Sequence, residues 1–451
     1  MKGIRCGGVR VEAGRESLMS SAGAALLLQT AQVSGLAAGL SQGLSPWRPA
    51  RSVHDPGKIV LDLAVAIALG GDCLADAAVV RAQPELFGSV ASDPTISRLI
   101  DALADDPLGA VAAIRGVRSA ARATVWGHGL PIPASRPVIV DLDATLVGAH
   151  SEKEGATATF KRGFGFHPML AFVDHGAGGT GEPLAAMLRP GKANANDAAD
   201  QIAVLDAALG QLPEPARSGV LVRGDTGSGV KEFLWHVHDL GLQYSVGVYG
   251  RQPILDALGA LPKQSWRRAL DADGKPRDGA QVAELTRWLP ATFTGWPPGM
   301  RIIARRERPH PGAQLRITDD QGWRITVFAT NTSGGRLADL EVRHRLRARA
   351  EDRIRALKDT GLTNLPMQAF AKNQIWLELV QLAAELLTWT QLLAWPDAPA
   401  RKWEPKRLRL RLLAVAARLI TTGRRRILRL NQRWPWSTLL TVGQRNLAAL
   451  T

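Results

Sequence analysis

The chain has 451 residues, of which 45% are hydrophobic and 22% are charged, and its formal net charge is +15 at pH 7. This composition is typical of a globular protein with a sizeable core and excludes a disordered chain. The basic excess favours an anionic partner, either nucleic acid or an acidic membrane surface. The two cysteines, Cys6 and Cys73, lack metal-ligand spacing and cannot form a disulfide framework. The cysteine usage favours a reducing cytoplasm, and no apolar run approaches the length of a membrane span, so we expect a soluble cytoplasmic protein.

The N-terminal part of the chain is predicted to be helical. Residues 1–45 are rich in Gly, Ser and Ala, whereas residues 58–121 have the apolar spacing of helices. Asp93 and Pro94 predict the N-cap and first residue of one helix. Three polar residues of that helix would face DNA in a helix-turn-helix-like module, the alternative being an ordinary bundle helix: Thr95, Ser97 and Arg98. We expect residues 1–131 to form a helical DNA-binding region.

The run from 137 to 145 is apolar and β-branched until it ends in acids. It predicts a buried strand with Asp141 and Asp143 on one face. The alternative is a strand that runs into a solvated loop with helix-capping aspartates. Acids at the carboxyl end of a buried strand lie where open α/β sheets place their ligands. A second apolar run, residues 219–225, also ends in an acid, Asp225.

The middle of the chain alternates strand and helix patterns. Between residues 132 and 248 this alternation predicts an α/β fold with a partly parallel sheet. Residues 249–335 contain many Pro and Gly residues and are predicted to form a β-rich insertion. Its predicted strands are 300–305, 314–318 and 323–330.

A strong helix is predicted over residues 339–358 and ends at Gly361. Five polar residues occupy one of its faces: His344, Arg347, Glu351, Arg355 and Lys358. A charged stripe is usually a solvated face. A carboxylate with basic residues one turn to either side also suits a metal site beside phosphates. An apolar helix over 370–395 follows and is expected to be buried in the core.

The C-terminal region, residues 396–451, is strongly basic. Its segment 401–433 holds twelve Arg or Lys residues against one acid, Glu404. Alternation at 407–412 and 425–430 is typical of two strands joined by a turn at Thr422 and Gly423, although a helix stays open for this segment. The residues predicted to contact DNA phosphates are Arg407, Arg409, Arg411, Arg424, Arg425 and Arg426.

Three acidic positions stand out: Asp143 (or Asp141), Asp225 and Glu351. Carboxylates are the ligands that Mg²⁺ prefers. Two such ions about 4 Å apart activate a water or a 3′-hydroxyl and stabilise the leaving oxygen of an in-line displacement. Clusters with zinc-ligand spacing and a phosphate-binding Gly-Lys-Ser/Thr loop are both absent from the sequence.

Together these motifs resemble those of a bacterial insertion-sequence transposase of the DDE class, in the branch with a Tyr-Arg-Glu-Lys signature. In that signature two, three and six residues separate the four positions. His344, Arg347, Glu351 and Lys358 fall on it in register, with His in place of Tyr. Residues 143–145 resemble the first catalytic strand, which favours Asp143 over Asp141, and residues 223–227 resemble the second.

Two further segments, 161–168 and 188–193, are also similar to this family, and the resemblance covers residues 55–440. It implies an RNase H-like core (132–248 and 336–395) interrupted by the β-rich insertion. It also implies cut-and-paste transposition by the acids Asp143, Asp225 and Glu351 with two Mg²⁺ or Mn²⁺ ions. The expected partners are the terminal inverted repeats and target DNA, bound by a homodimer in the nucleoid.

The resemblance also implies residues that contact DNA. Arg347 and Lys358 would hold phosphates, with His344 beside them. Trp323 would stack on a base flipped out of the transposon end. Its alternative role is core packing, and Trp288 or Trp296 are the other candidates for stacking.

Three other functions compete with this prediction. An RNase H-like nuclease or resolvase would cut without joining, but would not need the insertion and the signature helix. A DNA-binding regulator or inactive remnant would use the basic region alone, and the presence of all three acids argues against it. A carboxylate-pair glycosidase is disfavoured by the charge, which suits a polyanion.

Overall fold

A computed structural model describes residues 18–129, 137–177, 181–249, 252–289, 292–309, 322–423 and 425–450. In these ranges the helices lie mostly at the two ends of the chain. They are α1 Ala25–Val33, α2 Leu36–Gly43, α3 Pro56–Ala68, α4 Ala77–Arg81, α5 Pro84–Phe87, α6 Asp93–Asp105, α7 Pro107–Gly129, α8 Ala198–Gln211, α9 Glu214–Arg217, α10 Lys231–Asp239, α11 Gln252–Ala260, α12 Leu337–Arg345, α13 Arg349–Leu357, α14 Phe370–Ala394, α15 Pro405–Leu408 and α16 Ser437–Ala448.

The strands of the described chain form one large sheet and two small ones. They are β1 Leu18–Met19, β2 Val138–Ala144, β3 Val147–Gly148, β4 Thr157–Ala158, β5 Phe164–Phe166, β6 Met169–Asp174, β7 Glu182–Met187, β8 Val220–Gly224, β9 Gln243–Val248, β10 Arg267–Leu270, β11 Pro276–Glu284, β12 Arg301–Glu307, β13 Arg324–Thr330, β14 Ala417–Thr422 and β15 Arg425–Leu430. The large sheet has the order β10-β11-β12-β13-β9-β8-β2-β6-β7.

The centre of the large sheet is parallel. Strand β2 pairs in parallel with β8, and β8 with β9, whereas the other neighbours are antiparallel. Every residue of β8 is buried, which is typical of a strand covered on both faces. The predicted α/β fold with a partly parallel sheet is therefore confirmed, as is the buried strand before Asp143.

The β-rich segment after β9 extends this sheet. Strand β13 pairs antiparallel with β9, with Val327 opposite Val248, and β12, β11 and β10 follow outward. Of the predicted strands, 300–305 and 323–330 are confirmed as β12 and β13. The predicted strand 314–318 and most of its turn lie outside the described residues.

The predicted single helix over 339–358 is wrong in one respect. Helices α12 and α13 are separate, because a 3-10 turn, Leu346–Ala348, interrupts them. After α13 a wide turn, Lys358–Leu362, ends the helical path at Gly361, whose φ is +88°. Glycine adopts this left-handed conformation without a steric penalty, as predicted for the C-terminal end.

The N-terminal helices pack against α14, the buried central helix of the molecule. The predicted boundary of α6 is off by one residue, because Ser92 is the N-cap and Asp93 already belongs to the helix. The division into domains stays a prediction. No single helix in the described ranges combines the length and apolarity needed to cross a membrane, although the bent pair Ala22–Val33 and Leu36–Gly43 meets that test by length and composition.

The C-terminal region contains one of the two predicted strands. Residues 425–430 form β15, which pairs with β14 across a turn at Gly423. The predicted strand at 407–412 is wrong, because α15 and a π-helical turn, Arg409–Leu413, occupy it. Leu408 and Leu412 are both buried, and their spacing of four residues places them on one side of a helix.

Candidate active site

Three acids predicted from the sequence lie at the edge of the large sheet where its central strands β2 and β8 end. The parallel register pairs Leu142 of β2 with Gly224 of β8, so Asp143 and Asp225 are the next residues of neighbouring strands. Asp143 Oδ1 accepts a hydrogen bond from the Ala144 amide at 2.9 Å. Asp225 caps a short 3-10 helix and accepts from the Gly227 amide at 2.9 Å.

Glu351 on α13 belongs to the same electrostatic environment. The pKa of Asp143 is raised to about 6, first by burial and then by the negative charges of Asp225 and Glu351, while Arg347 opposes the shift. Arg347 Nη1 lies 4.0 Å from Asp143 Oδ2. Asp143, Asp225, Glu351 and Arg347 therefore lie close enough to interact, although they come from β2, the end of β8, and the α12–α13 segment.

Asp141 lies on the same strand but is fully engaged elsewhere. Arg223 donates to both of its oxygens, from Nε at 2.6 Å and from Nη2 at 2.7 Å. Arg223 also donates to Asp174 at 2.8 Å, and Arg349 lies 3.1 Å from Asp174. This buried ion-pair cluster fixes β2, β6 and β8 against α13, and it occupies the carboxylate of Asp141.

His344 is buried against the large sheet. Only 8% of the residue is exposed, and its ring stacks on Phe328 with centroids 4.4 Å apart. Its Nδ1 lies 3.0 Å from Ser245 Oγ. Burial lowers its pKa to about 3, so the ring is neutral at pH 7. The prediction that His344 contacts DNA is corrected on this ground: it packs α12 onto the sheet.

Lys358 lies at the end of α13 and is half-buried. Burial lowers its pKa, and the nearby charge of Lys161 lowers it further. Arg355, on the same helix face, is exposed and forms ion pairs with Asp352 at 2.9 Å and Glu404 at 3.0 Å. Of the cations on this face, Arg347 thus lies by the acids, Lys358 lies by Lys161, and Arg355 is bound to surface acids.

Segments 161–168 and 188–193, which resemble the family, hold the loop of Asp225 in place. The sequence analysis did not assign this role. Arg189 Nε donates to the His167 carbonyl at 3.0 Å, and His167 Nδ1 lies 2.8 Å from the Ala193 carbonyl. Gln201 Nε2 then donates to the carbonyls of Ala195 and Gly227, both at 2.9 Å. The signal for this support was present in segments 161–168 and 188–193, and Arg223 lay in the family-like segment 223–227, whereas Asp174 and Arg349 carried none.

Trp323 has cations against its ring. The guanidinium carbon of Arg306 lies 4.7 Å from the ring centroid and that of Arg308 lies 5.2 Å away. Arg306 also lies 4.1 Å from the ring of Trp266. Of the alternatives, Trp288 carries Arg287 at 3.9 Å. Trp296 packs edge-on against Phe293.

Some of the basic residues predicted to bind DNA are exposed to solvent, and others form contacts within the protein. Arg407 and Arg425 are exposed. Arg409 donates to the Asp359 carbonyl at 2.7 Å, and Arg426 donates to the Glu85 carbonyl. The guanidinium of Arg411 lies between the rings of Trp403 and Trp436, at 5.0 and 4.6 Å, where it fixes the C-terminal region. Arg424 lies outside the described residues.

A second acidic group lies on the N-terminal helices. In the described ranges, Asp72, Cys73 and Asp76 are the one set of three possible ligands whose donor atoms all lie within 4.8 Å of one another. Asp76 Oδ2 already accepts from the amides of Asp72 and Cys73, at 2.8 and 3.1 Å. This group therefore caps a helical turn. The donor atoms of Asp143, Asp225 and Glu351, by contrast, do not all lie within 4.8 Å of one another.

An acidic edge on a mixed α/β sheet, bordered by cations, is the kind of site that the chain presents. A family model described as "Transposase DDE domain group 1" matches residues 5–451. The chain therefore belongs to this family of DDE transposases.

Comparison with solved structures finds similarity to a chain described as "Cryo-EM structure of piggyBac transposase synaptic complex with hairpin DNA (SNHP)". The two chains are 9% identical and superpose with a TM-score of 0.43, over 86% of this chain and 80% of that one. No curated protein matches the chain.

Proposed function

We propose that this transposase cleaves transposon ends and joins their 3′ ends to target DNA by a cut-and-paste route. Membership of the DDE transposase family supports this proposal. The observation that carries it is the proximity of Asp143, Asp225 and Glu351: burial raises the pKa of Asp143, and the negative charges of the other two acids add to that rise. In this proposal the three acids are the catalytic residues.

The donor set suits divalent metal ions. Three carboxylates that repel one another are stabilised by a bound cation, and carboxylate oxygens are hard ligands suited to Mg²⁺ or Mn²⁺. Their wide spacing favours a pair of ions over one ion held by all three. When bound, such a pair supplies Lewis acidity to the attacking and leaving oxygens.

The remaining residues bind and orient the DNA. Arg347, beside Asp143, holds a phosphate through its planar fork, and Lys358 holds another as a point charge. Exposed Arg407 and Arg425 bind the backbone farther along the DNA. The Arg189–His167 support keeps Asp225 in place while substrate enters.

The wider assignment rests on the same reasoning. We propose that β2, β6, β7, β8 and β9 form an RNase H-like core together with α13, the helix that carries Glu351. The strands β10–β13 interrupt this core between β9 and α13. The partners are the terminal inverted repeats and target DNA, bound by a homodimer. Trp323 remains a proposed stacking residue, on condition that Arg306 and Arg308 move from its ring.

Strand cleavage and strand transfer test the proposal separately. Asp143→Asn, Asp225→Asn and Glu351→Gln should each abolish cleavage of an end-bearing duplex while DNA binding persists. A pre-cleaved end with a free 3′-hydroxyl should be joined to target DNA by the native chain. Joining that fails while cleavage occurs would make the protein a nuclease, and full cleavage by Asp225→Asn would refute the acid assignment.

A further inference from the structure

The hairpin formed by β4 and β5 carries an aromatic residue and two cations at its tip. Thr159 closes this tip, because its amide donates to the Gly163 carbonyl at 2.9 Å and its Oγ1 accepts from the Gly163 amide at 3.1 Å. Phe160, Lys161 and Arg162 occupy the closed turn. Among the described residues other than glycine, Arg162 alone has a positive φ, +60°. The tip is thus a defined turn that presents these three side chains.

The side chain of Phe160 is largely exposed to solvent and does not pack in the core. The residue is 70% exposed, whereas most large apolar residues of the described chain are buried. Its ring centroid lies 5.6 Å from that of His167 and 5.7 Å from Lys161 Nζ. An exposed aromatic ring with a cation beside it is the pattern that binds unpaired nucleobases.

The hairpin is held against the loop that supports Asp225. The Lys192 amide donates to Thr157 Oγ1 at 2.8 Å, and Phe166 forms a β-bridge with Pro190. Gly191 makes this approach possible, since a Cβ there would lie 2.5 Å from the carbonyl oxygens of Gly165 and Thr157. The hairpin therefore has a fixed position relative to the acidic edge.

A series of contacts leads from the tip to the loop of Asp225. Phe160 lies against His167, whose Nδ1 is 2.8 Å from the Ala193 carbonyl. Gln201 donates to the carbonyls of both Ala195 and Gly227. His167, which touches Phe160, is close enough to Asp225 to sense its charge. Lys161 lies near Lys358 at the end of α13. The tip therefore lies next to the loop that supports Asp225, where DNA at the acids would pass.

We propose that Phe160 stacks on an unpaired base of the DNA held at the acidic edge, while Lys161 and Arg162 bind the neighbouring phosphates. This inference rests on the proposed function, since it takes DNA as the substrate of that edge. It differs from the stacking proposed for Trp323, whose ring already carries Arg306 and Arg308. The ring of Phe160 carries one cation, Lys161, which is farther away at 5.7 Å, and Lys161 would move from the ring to a neighbouring phosphate.

Binding without divalent cations tests the inference, because no cleavage then occurs. The probes are a short duplex with unpaired thymidines at one end and the same duplex fully paired. The native chain should prefer the forked probe, and Phe160→Ala should weaken forked-probe binding by about 5- to 150-fold, which corresponds to roughly 1–3 kcal/mol. Phe160→Trp should restore the preference, and Phe160→Leu should not, because leucine is apolar but has no aromatic face.

Phe164 provides the matched control. It is an aromatic residue of the same hairpin and 41% exposed, but it lies on β5 and not at the tip. Phe164→Ala should leave the preference intact, and an equal loss there would overturn the assignment to Phe160. Equal binding of both probes by the native chain and by Phe160→Ala would overturn the inference and leave the proposed function standing. Failure to bind either probe would overturn the proposed function itself.

Discussion

Two aspartates two residues apart on β2 have opposite physical roles. Asp141 is the buried partner of Arg223, whereas Asp143 lies among like charges at the sheet edge. The sequence resemblance favoured Asp143, and the ion pairs of Asp141 supply a structural reason for that choice. Substitutions at Asp141 and Asp143 should therefore have different effects on the stability of the fold.

Asp141→Asn should destabilise the fold, and Asp143→Asn should not. Removing one partner of a buried ion pair typically costs roughly 3 kcal/mol, because the remaining charge is left uncompensated. Removing the Asp143 charge instead relieves repulsion from Asp225 and Glu351. Urea unfolding of both variants at pH 7 measures the difference, and equal losses of stability would contradict it.

Added Mg²⁺ should stabilise the native chain but not Asp143→Asn. A ligand that binds the folded state alone raises its stability by mass action. The melting temperature with and without MgCl₂ measures this effect. Asp352→Asn is a suitable control, since Asp352 lies on α13 but pairs with Arg355 at the surface. A Mg²⁺ response that persists in Asp143→Asn would place the ion elsewhere.

His344 should make stability depend on pH in the acidic range. Its pKa in the folded state is about 3, below the ordinary value of 6.5, so the unfolded chain binds the proton first as pH falls. Stability is therefore lost as pH falls below 6.5, by roughly 2 kcal/mol between pH 7 and pH 5. His344→Phe should show a correspondingly smaller loss over this range in parallel urea titrations. Identical slopes would show that His344 is not buried in its neutral form.

At the scale of elements, the hairpin β14–β15 separates its cations between two faces. The register places Arg418 opposite Arg429 and Thr422 opposite Arg425, so these three arginines share one face. All three are exposed. Arg426 belongs to the other face and donates to the Glu85 carbonyl. Like charges directly opposite each other are unfavourable, so the outer face is suited to a polyanion.

Replacing Arg418, Arg425 and Arg429 by Gln should flatten the salt dependence of DNA binding. Each lost phosphate contact lowers the slope of log affinity against log salt by about 0.9. Arg426→Gln removes one charge from the other face and should change the slope less than Arg425→Gln alone does. Binding of one duplex over a range of NaCl concentrations measures both slopes. An unchanged slope in the triple variant would assign this face to another partner.

The elements show why some predictions succeeded and others failed. Strands β2 and β8 were predictable because buried parallel strands are locally apolar along their whole length. The segment 407–412 was not, since its alternation of Arg and Leu also places Leu408 and Leu412 on one side of a helix. The burial of His344 depends on Phe328 and Ser245, which are distant in the sequence, so the local stripe of polar residues misled the prediction.

At the scale of the whole molecule, buried ion pairs join the N-terminal helices to the sheet. Arg118 of α7 pairs with Glu378 and Glu385 of α14, both at 2.7 Å. Arg122 pairs with Glu182 of β7 at 2.8 Å and also with Glu385. These side chains are fully buried, so the helical region and the sheet depend on the same charges.

Glu385→Gln should destabilise the protein by about 3–5 kcal/mol, because both Arg118 and Arg122 lose a buried partner. The helices and the sheet should also unfold in a single transition. Asp339→Asn is the control, since its pair with Arg336 is exposed and exposed pairs contribute little to stability. Calorimetry distinguishes the outcomes, and a small effect of Glu385→Gln or two separate transitions would contradict this prediction.

The pairing of β13 with β9 determines what would happen to a shortened form of this protein. Strand β9 has hydrogen-bonded neighbours on both sides, β8 and β13. A deletion that removed β10–β13 would leave one side of β9 with unpaired amides and carbonyls, next to buried Tyr244 and Val246. An exposed apolar edge strand of this kind pairs with other chains. The shortened product should therefore aggregate instead of folding as a smaller protein.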